Sequence, residues 1–245
     1  MGSKRVTYPK IIGHRGAAAL APENTLAGFA KAASLGVKMV ELDAKLSADG
    51  EVVVHHDDTL GRTANGQGPV AQASFAALRA LDAGGWFGEA YKGERIPTLA
   101  EALDAIAKAG MGVNVEIKPC AGREVETAEK VIAVARAQWK GDGPFQFSSF
   151  KRPCLETALA QAPDYERGYL TDNFAEGWLE NAQALKCASV NGNFRGYTRE
   201  RIAATHAAGL LALTYTVNEP AIARQLLANG MDGIITDVPD RMLAL

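Results

Sequence analysis

The chain has 245 residues, 47% of them hydrophobic and 22% charged, with a formal net charge of −2. That composition is globular and supplies a large core, and without a basic surplus it argues against a nucleic-acid partner. The three cysteines, Cys120, Cys154 and Cys187, show no C-x-x-C spacing, which argues against a disulfide framework or a structural zinc site.

The start, Met1 to Lys10, lacks the apolar stretch of a secretory signal. Met1-Gly2 is followed by Val6 rather than the Ser or Thr of a myristoylation site. No apolar run approaches the roughly 20 residues that span a bilayer, so stable membrane insertion is not expected. These features predict a cytoplasmic protein and leave its oligomeric state open.

Apolar strand-like runs alternate with amphipathic stretches from end to end. In chain order the pattern predicts strands at 10–13, 38–43, 113–117, 144–147, 166–169, 188–191, 211–215 and 233–235. Helices are predicted at 25–35, 99–109, 124–139, 151–160, 175–184, 198–208 and 219–228. Asn24 and Thr98 are the expected N-caps, and Gly36, Gly110, Gly209 and Gly230 fall where helices should end. Short strand followed by helix, repeated over this length, is the arithmetic of the α/β class and of one (β/α)₈ TIM-barrel domain over 1–245. The rhythm breaks at about 57–97. A short extra strand at 51–55 follows an Asp49-Gly50 turn, and a glycine-rich segment with a Trp86-Phe87 pair comes after it. Loops this long are usually functional, so the segment is expected to be a small insertion after the second strand, capping the barrel mouth.

The chemistry lies at strand ends. Residues two apart in a strand share a face, so Glu41 and Asp43 point one way while Val40 and Leu42 point the other; Glu116 and Lys118 do the same against Val115 and Ile117. Apolar outer faces with charged inner faces predict a barrel whose mouth is a charged site. Oxygen ligands from Glu41, Asp43 and Glu116 suit a hard divalent cation, Mg²⁺ or Ca²⁺. His14 and Arg15 follow the first strand with a titratable group and a phosphate-matching fork. His55 and His56 follow the extra strand, and alternation sends them to opposite faces.

The ordered set His14-Arg15-Gly16, Pro22-Glu23-Asn24-Thr25, Glu41-Leu42-Asp43, His56-Asp57 with Leu60 and Arg62-Thr63 opens a pattern that continues along the chain. It runs on through Asp82-Ala83-Gly84 with Trp86-Phe87, Ile96-Pro97-Thr98-Leu99, Glu116-Ile117-Lys118, Ser148-Ser149-Phe150, Thr216-Val217-Asn218 and Thr236-Asp237. In this the chain resembles the glycerophosphodiester phosphodiesterase family, in its compact cytoplasmic bacterial form. Ala64 departs from the pattern where a second Thr is frequent.

The resemblance implies a metal-dependent barrel that hydrolyses glycerophosphodiesters to sn-glycerol 3-phosphate and an alcohol. Carried over by position, Glu41, Asp43 and Glu116 are the implied metal ligands, and His14 and His56 the catalytic pair. Arg15 and Lys118 are the implied phosphate contacts, with Glu23, Asn24 and Asp57 in support. Trp86 and Phe87 are candidates to wall the substrate. One histidine would take the proton of the glycerol 2-hydroxyl and the other protonate the leaving alcohol, through a cyclic phosphate. The alternatives are a sphingomyelinase D-like or phospholipase C-like phosphodiesterase, and a non-catalytic glycerophosphodiester-binding barrel. Missing cysteine pairs and a missing leader weigh against the sphingomyelinase type, and the complete charged set against the binding barrel.

Overall fold

A computed structural model describes residues 7–245. The Met1-Gly2 start lies outside the described residues. Strands β1 (Ile11–Gly13) and β2 (Met39–Leu46) flank helix α1 (Leu26–Ser34). Next come β3 (Val52–Val54), α2 (Phe75–Ala80), α3 (Leu99–Lys108), β4 (Gly112–Ile117), α4 (Glu124–Gln138) and β5 (Phe145–Ser149). The chain continues through α5 (Arg152–Gln161), β6 (Glu166–Thr171), α6 (Trp178–Ala184), β7 (Ser189–Asn193), α7 (Arg199–Ala207) and β8 (Leu211–Tyr215). It ends with α8 (Pro220–Ala228), β9 (Gly233–Thr236) and α9 (Pro239–Met242).

The sheet order is β1-β9-β8-β7-β6-β5-β4-β2-β3, and β1 also pairs with β2 through Gly13 and Val40. All strands but β3 run parallel, so they close an eight-stranded barrel, and β3 lies antiparallel on the upper end of β2. This is the predicted (β/α)₈ architecture with one extra strand. Outward-facing strand residues such as Val40, Leu42, Val113 and Val115 pack with Leu103 and Ile106 of α3 in one core cluster. Val190, Ala212 and Ile234 do the same with Leu155 and Leu226 in the other. Inside, the barrel floor is filled by Tyr8, Ile12, Met39, Leu213 and Ile235.

A layer of amides and hydroxyls crosses the barrel interior. The Gln146 side-chain nitrogen donates to Tyr8 Oη (3.0 Å) and Ser189 Oγ (2.8 Å), and Asn191 Nδ2 donates back to Gln146 Oε1 (3.2 Å). A buried polar layer holds only when its members satisfy one another, and this one does.

Four expectations need correction. β2 runs three residues past Asp43, because Ala44-Lys45-Leu46 keeps its alternation and pairs with β3. α2 and α9 went unpredicted: each is a short helix, of 6 and 4 residues, too brief to show a period. Thr25 rather than Asn24 caps α1, its side chain accepting from the Gly28 amide; the Asn24 amide is taken up by Asp43 instead. Thr98 caps α3 as expected, in a full capping box with Glu101.

Between β3 and α3 the chain builds a small core of its own from Val53, Ala64, Val70, Leu78, Ala83 and Ile96. Among the described residues no helix is long and apolar enough to cross a membrane.

Candidate active site

β1 ends in a turn that folds tightly back on itself. A Cβ on Gly13 would lie 2.0 Å from the Gly16 carbonyl oxygen, so only glycine fits. The His14 amide still joins the ladder, donating to the Thr236 carbonyl of β9 at 2.8 Å. Arg15 adopts a left-handed backbone (φ 49°), which aims its amide at Glu41 Oε2, 3.1 Å away. The strained turn thus delivers an imidazole, a guanidinium and a backbone donor to one spot.

Register does the rest. β2 and β4 pair Glu41 with Asn114 and Asp43 with Glu116, so three carboxylates converge on the inner face. Glu41, Asp43 and Glu116 are all buried, and each offers an oxygen within 4.8 Å of the others. Asp43 accepts from Asn24 Nδ2 at 2.8 Å, and its ion partners are Arg15 Nε at 3.3 Å and Lys118 Nζ at 3.5 Å. Lys118 also donates to Glu116 Oε1 at 3.1 Å. Burial opposes the charge of Asp43, yet Arg15 and Lys118 outweigh it and hold that carboxyl well below the usual range. Burial, with the Asp43 charge, pushes Glu116 up to about 7 and Glu41 well up as well. Three buried acids packed this closely resist ionising together, and a bound cation would relieve that. The all-oxygen donor set fits a hard divalent ion, and this triad could hold one.

Two imidazoles flank the triad, each anchored the same way. His14 Nδ1 lies 2.6 Å from Asp237 Oδ1, and His56 Nδ1 lies 2.6 Å from Asp57 Oδ1. A carboxylate on Nδ1 fixes ring orientation and tautomer and leaves Nε2 for chemistry. Asp237 is in turn gripped by Asn218, whose Nδ2 donates to it at 2.7 Å. Burial, aided by the Arg15 and Lys118 charges, holds His56 below the ordinary imidazole value. His55, by contrast, is buried and does not line the cavity, and its Nε2 has no hydrogen-bond partner among the described residues. Alternation therefore separates the doublet as expected, with His56 at the cavity.

Arg62 ties these parts together from the insertion. Its Nε and Nη2 donate to the two oxygens of Asp57 (2.7 and 3.0 Å), and Nη1 and Nη2 to the two oxygens of Glu23 (2.7 Å each). Glu23 also accepts from Arg15 Nη1 at 2.7 Å. One guanidinium thus reaches His56 through Asp57 and Arg15 through Glu23.

These groups line a cavity of about 410 Å³ at the barrel mouth. His14, Arg15, Glu41, His56, Glu116 and Lys118 all face it. Trp86 and Phe87 do not. The tryptophan nitrogen donates to the Ala83 carbonyl at 2.9 Å, and the Phe87 ring packs edge-on between Trp86 and Tyr91. They stack on one another at the surface of the insertion, where Trp86 stays 43% exposed. The opposite wall is instead built by Phe150, Leu170, Asp172, Asn193, Arg195 and Tyr215. Of these, the sequence reading names Phe150 in the family pattern and takes Tyr215 to shape the mouth, and gives the others no role. For Leu170, Asp172, Asn193 and Arg195 the one available signal was position, just inside or beyond the C-terminal ends of β6 and β7.

Cations that neutralise a bound anion, a carboxylate cluster able to hold a metal, and two oriented acid–base nitrogens equip this mouth to cleave an anionic ester. Fold and site together define a barrel phosphohydrolase. Within that class the model of the glycerophosphoryl diester phosphodiesterase family matches residues 14–241, and the chain belongs to that family. It is accordingly an enzyme acting on glycerophosphodiesters. A glycerophosphodiester phosphodiesterase of Caldanaerobacter subterraneus subsp. tengcongensis is 34% identical, covering 96% of each chain. One from Bacillus subtilis (strain 168) is 30% identical over 94% of this chain and 83% of its own. An Oleispira antarctica phosphodiesterase, solved in complex with the product sn-glycerol-3-phosphate, superposes with a TM-score of 0.94 at 39% identity, covering 96% of each chain.

Proposed function

We propose that the chain hydrolyses glycerophosphodiesters to sn-glycerol 3-phosphate and an alcohol, with a divalent cation, Mg²⁺ or Ca²⁺, held by Glu41, Asp43 and Glu116. The observation that carries this reading is the pair of carboxylate-anchored imidazoles, His14 and His56, facing one cavity with the triad and two cations. When bound, the cation would supply positive charge against the negative charge of the reacting phosphate.

Arg15 and Lys118 bind the phosphate and spread its charge. The glycerol 2-hydroxyl attacks phosphorus as one imidazole takes its proton. The bond from phosphorus to the alcohol oxygen breaks, and the second imidazole protonates that oxygen. The resulting five-membered cyclic phosphate then opens to water, with the two histidines exchanging roles, and every proton is returned. Asp237 and Asp57 hold the rings in the tautomer this exchange needs. Glu23, Asn24 and Arg62 hold Arg15, Asp43 and Asp57 in place.

Residues 1–245 act in this reading as one barrel domain, with 57–97 capping the mouth. The protein works in the cytoplasm; support comes from three buried, unpaired cysteines. The deciding experiment is hydrolysis of glycerophosphocholine with and without chelator, coupled to detection of glycerol 3-phosphate. Absence of glycerol 3-phosphate with metal present would refute the proposal.

A further inference from the structure

Buried polar atoms without partners gather at the barrel mouth. Among the described residues four buried side-chain atoms lack a hydrogen-bond partner, and three of them, on Arg15, Asn114 and Ser148, belong to residues that line the cavity. Arg15 Nε still has Asp43 Oδ2 as an ion partner at 3.3 Å. Asn114 Oδ1 and Ser148 Oγ have no such partner. Both oxygens can accept, and both residues are almost fully enclosed, Asn114 being 2% and Ser148 0% exposed. Buried polar groups are nearly always satisfied, so two bare acceptors in one cavity point to a ligand that donates to them.

Register sets each acceptor beside a carboxylate of the triad. β2 and β4 pair Glu41 with Asn114, and β4 and β5 pair Glu116 with Ser148. A protein partner is close by in the same strands, yet neither residue uses one. Gln146 pairs with Asn114 and lies two positions before Ser148, and its side chain bonds to Tyr8, Ser189 and Asn191 in the amide layer across the barrel. Asn114 and Ser148 stay out of that layer.

The triad decides what the donor is. Glu41, Asp43 and Glu116 each offer one oxygen to an ion. A hard cation held by them keeps part of its shell for water or substrate. Water on a cation gives its lone pair to the metal, so toward its surroundings it can only donate. It needs acceptors next to the ligating carboxylates, and an amide oxygen and a hydroxyl stand there unengaged.

We propose that Asn114 Oδ1 and Ser148 Oγ accept hydrogen bonds from water bound to the divalent cation, and thereby favour an ion that keeps its water, Mg²⁺ over Ca²⁺. The proposal rests on the cation held by the triad in the reading above. Asn114 and Ser148 are positioning residues, acting through the water of the ion.

The test is calorimetric titration of Mg²⁺ and of Ca²⁺ into chelator-treated, full-length protein without substrate, so that turnover does not enter the readout. Losing an outer partner of a metal site weakens binding about 10–100-fold. Ser148→Ala and Asn114→Leu should each weaken Mg²⁺ binding about tenfold or more, and Ca²⁺ binding less, because Mg²⁺ gives up water more reluctantly. Ser148→Thr keeps the hydroxyl and should bind Mg²⁺ as wild type does. The thermal midpoint of metal-free Ser148→Ala should not fall below that of wild type, since the atom removed is an unpaired acceptor. A merely structural hydroxyl would do the reverse, lowering that midpoint and leaving the affinity alone.

Wild-type binding of Mg²⁺ beside equally tight binding by Ser148→Ala and Asn114→Leu would overturn the proposal and leave the cation reading standing. A loss confined to Ca²⁺ would also overturn it, as the mark of direct ligation. Wild-type protein that binds neither ion would refute the cation reading, and the proposal with it.

Discussion

Replacing Arg62 by alanine should damage catalysis without touching any group that meets the substrate. The side chain makes two bidentate carboxylate contacts, to Asp57 and Glu23, with all four hydrogen bonds between 2.7 and 3.0 Å. Such forks are strong when dry, but 45% of the Arg62 side chain is exposed, so solvent weakens both. Discounting for that exposure leaves each fork about 0.5–1 kcal/mol, or about 1–2 kcal/mol for the pair. If that energy holds Asp57 and Glu23 in the geometry that His56 and Arg15 need, its loss from the transition state lowers kcat/KM about 5–30-fold. Arg62→Lys should recover little, since a point charge cannot span two carboxylates. Guanidinium ion added to Arg62→Ala should restore part of the activity. The assay is glycerol 3-phosphate release, with a urea midpoint measured in parallel. Wild-type kcat/KM in Arg62→Ala, in a protein whose urea midpoint is unchanged, would refute the reasoning.

Four further outcomes are expected. Chelation should abolish activity while the far-UV circular dichroism stays native, and Mg²⁺ or Ca²⁺ should restore it; full activity in chelator with no metal by elemental analysis would exclude the cation. His14→Ala and His56→Ala should each lower kcat by roughly 10²-fold or more, and His55→Ala much less; a dead His55 variant beside an active His56 variant would reverse the assignment. A glycerophosphocholine analogue lacking the 2-hydroxyl should bind but turn over far more slowly, because effective molarities for such internal attack reach about 10⁵ M; equal turnover would point to direct attack by water. Hydrogen bonds from Arg62 hold the Asp57 carboxyl below its ordinary value, and Arg62 and Arg15 do so for Glu23 against the burial that opposes them. A depressed folded-state value contributes stability that is complete above the unfolded value, about 4, and is lost as pH falls through the folded value. Urea midpoints should therefore drop on acidification below about pH 4, and the drop should be shallower in Arg62→Ala; parallel curves would contradict the linkage.

What the sequence made legible was whatever a single strand encodes. Glu41 with Asp43, and Glu116 with Lys118, announce their shared face through alternation, and the register of β2 on β4 then brings the two pairs together. The turn after β1 shows itself as glycine, histidine, arginine, glycine. What stayed hidden depends on contacts between distant segments. Asp237 anchors His14 from just beyond the last strand, and Arg62 reaches Glu23 across 39 positions. Neither partner is implied by local spacing. The far wall stayed unassembled for the same reason: Phe150, Asp172, Arg195 and Tyr215 come from four different strand ends and become one surface only when the barrel is closed. Trp86 and Phe87 misled because composition says that aromatics will be packed, not against what.

The His14–Asp237 contact also has a meaning in time. Its partners are 223 positions apart, one just past the first strand and the other just past the last. During synthesis the triad, both cations and His56 with its carboxylate leave the ribosome well before the residue that orients the other imidazole. Until β9 docks beside β1, the His14 ring has no Asp237 carboxylate to fix its orientation. In the mechanism proposed above, hydrolysis therefore waits for ring closure, and turnover would report on completion of the barrel itself.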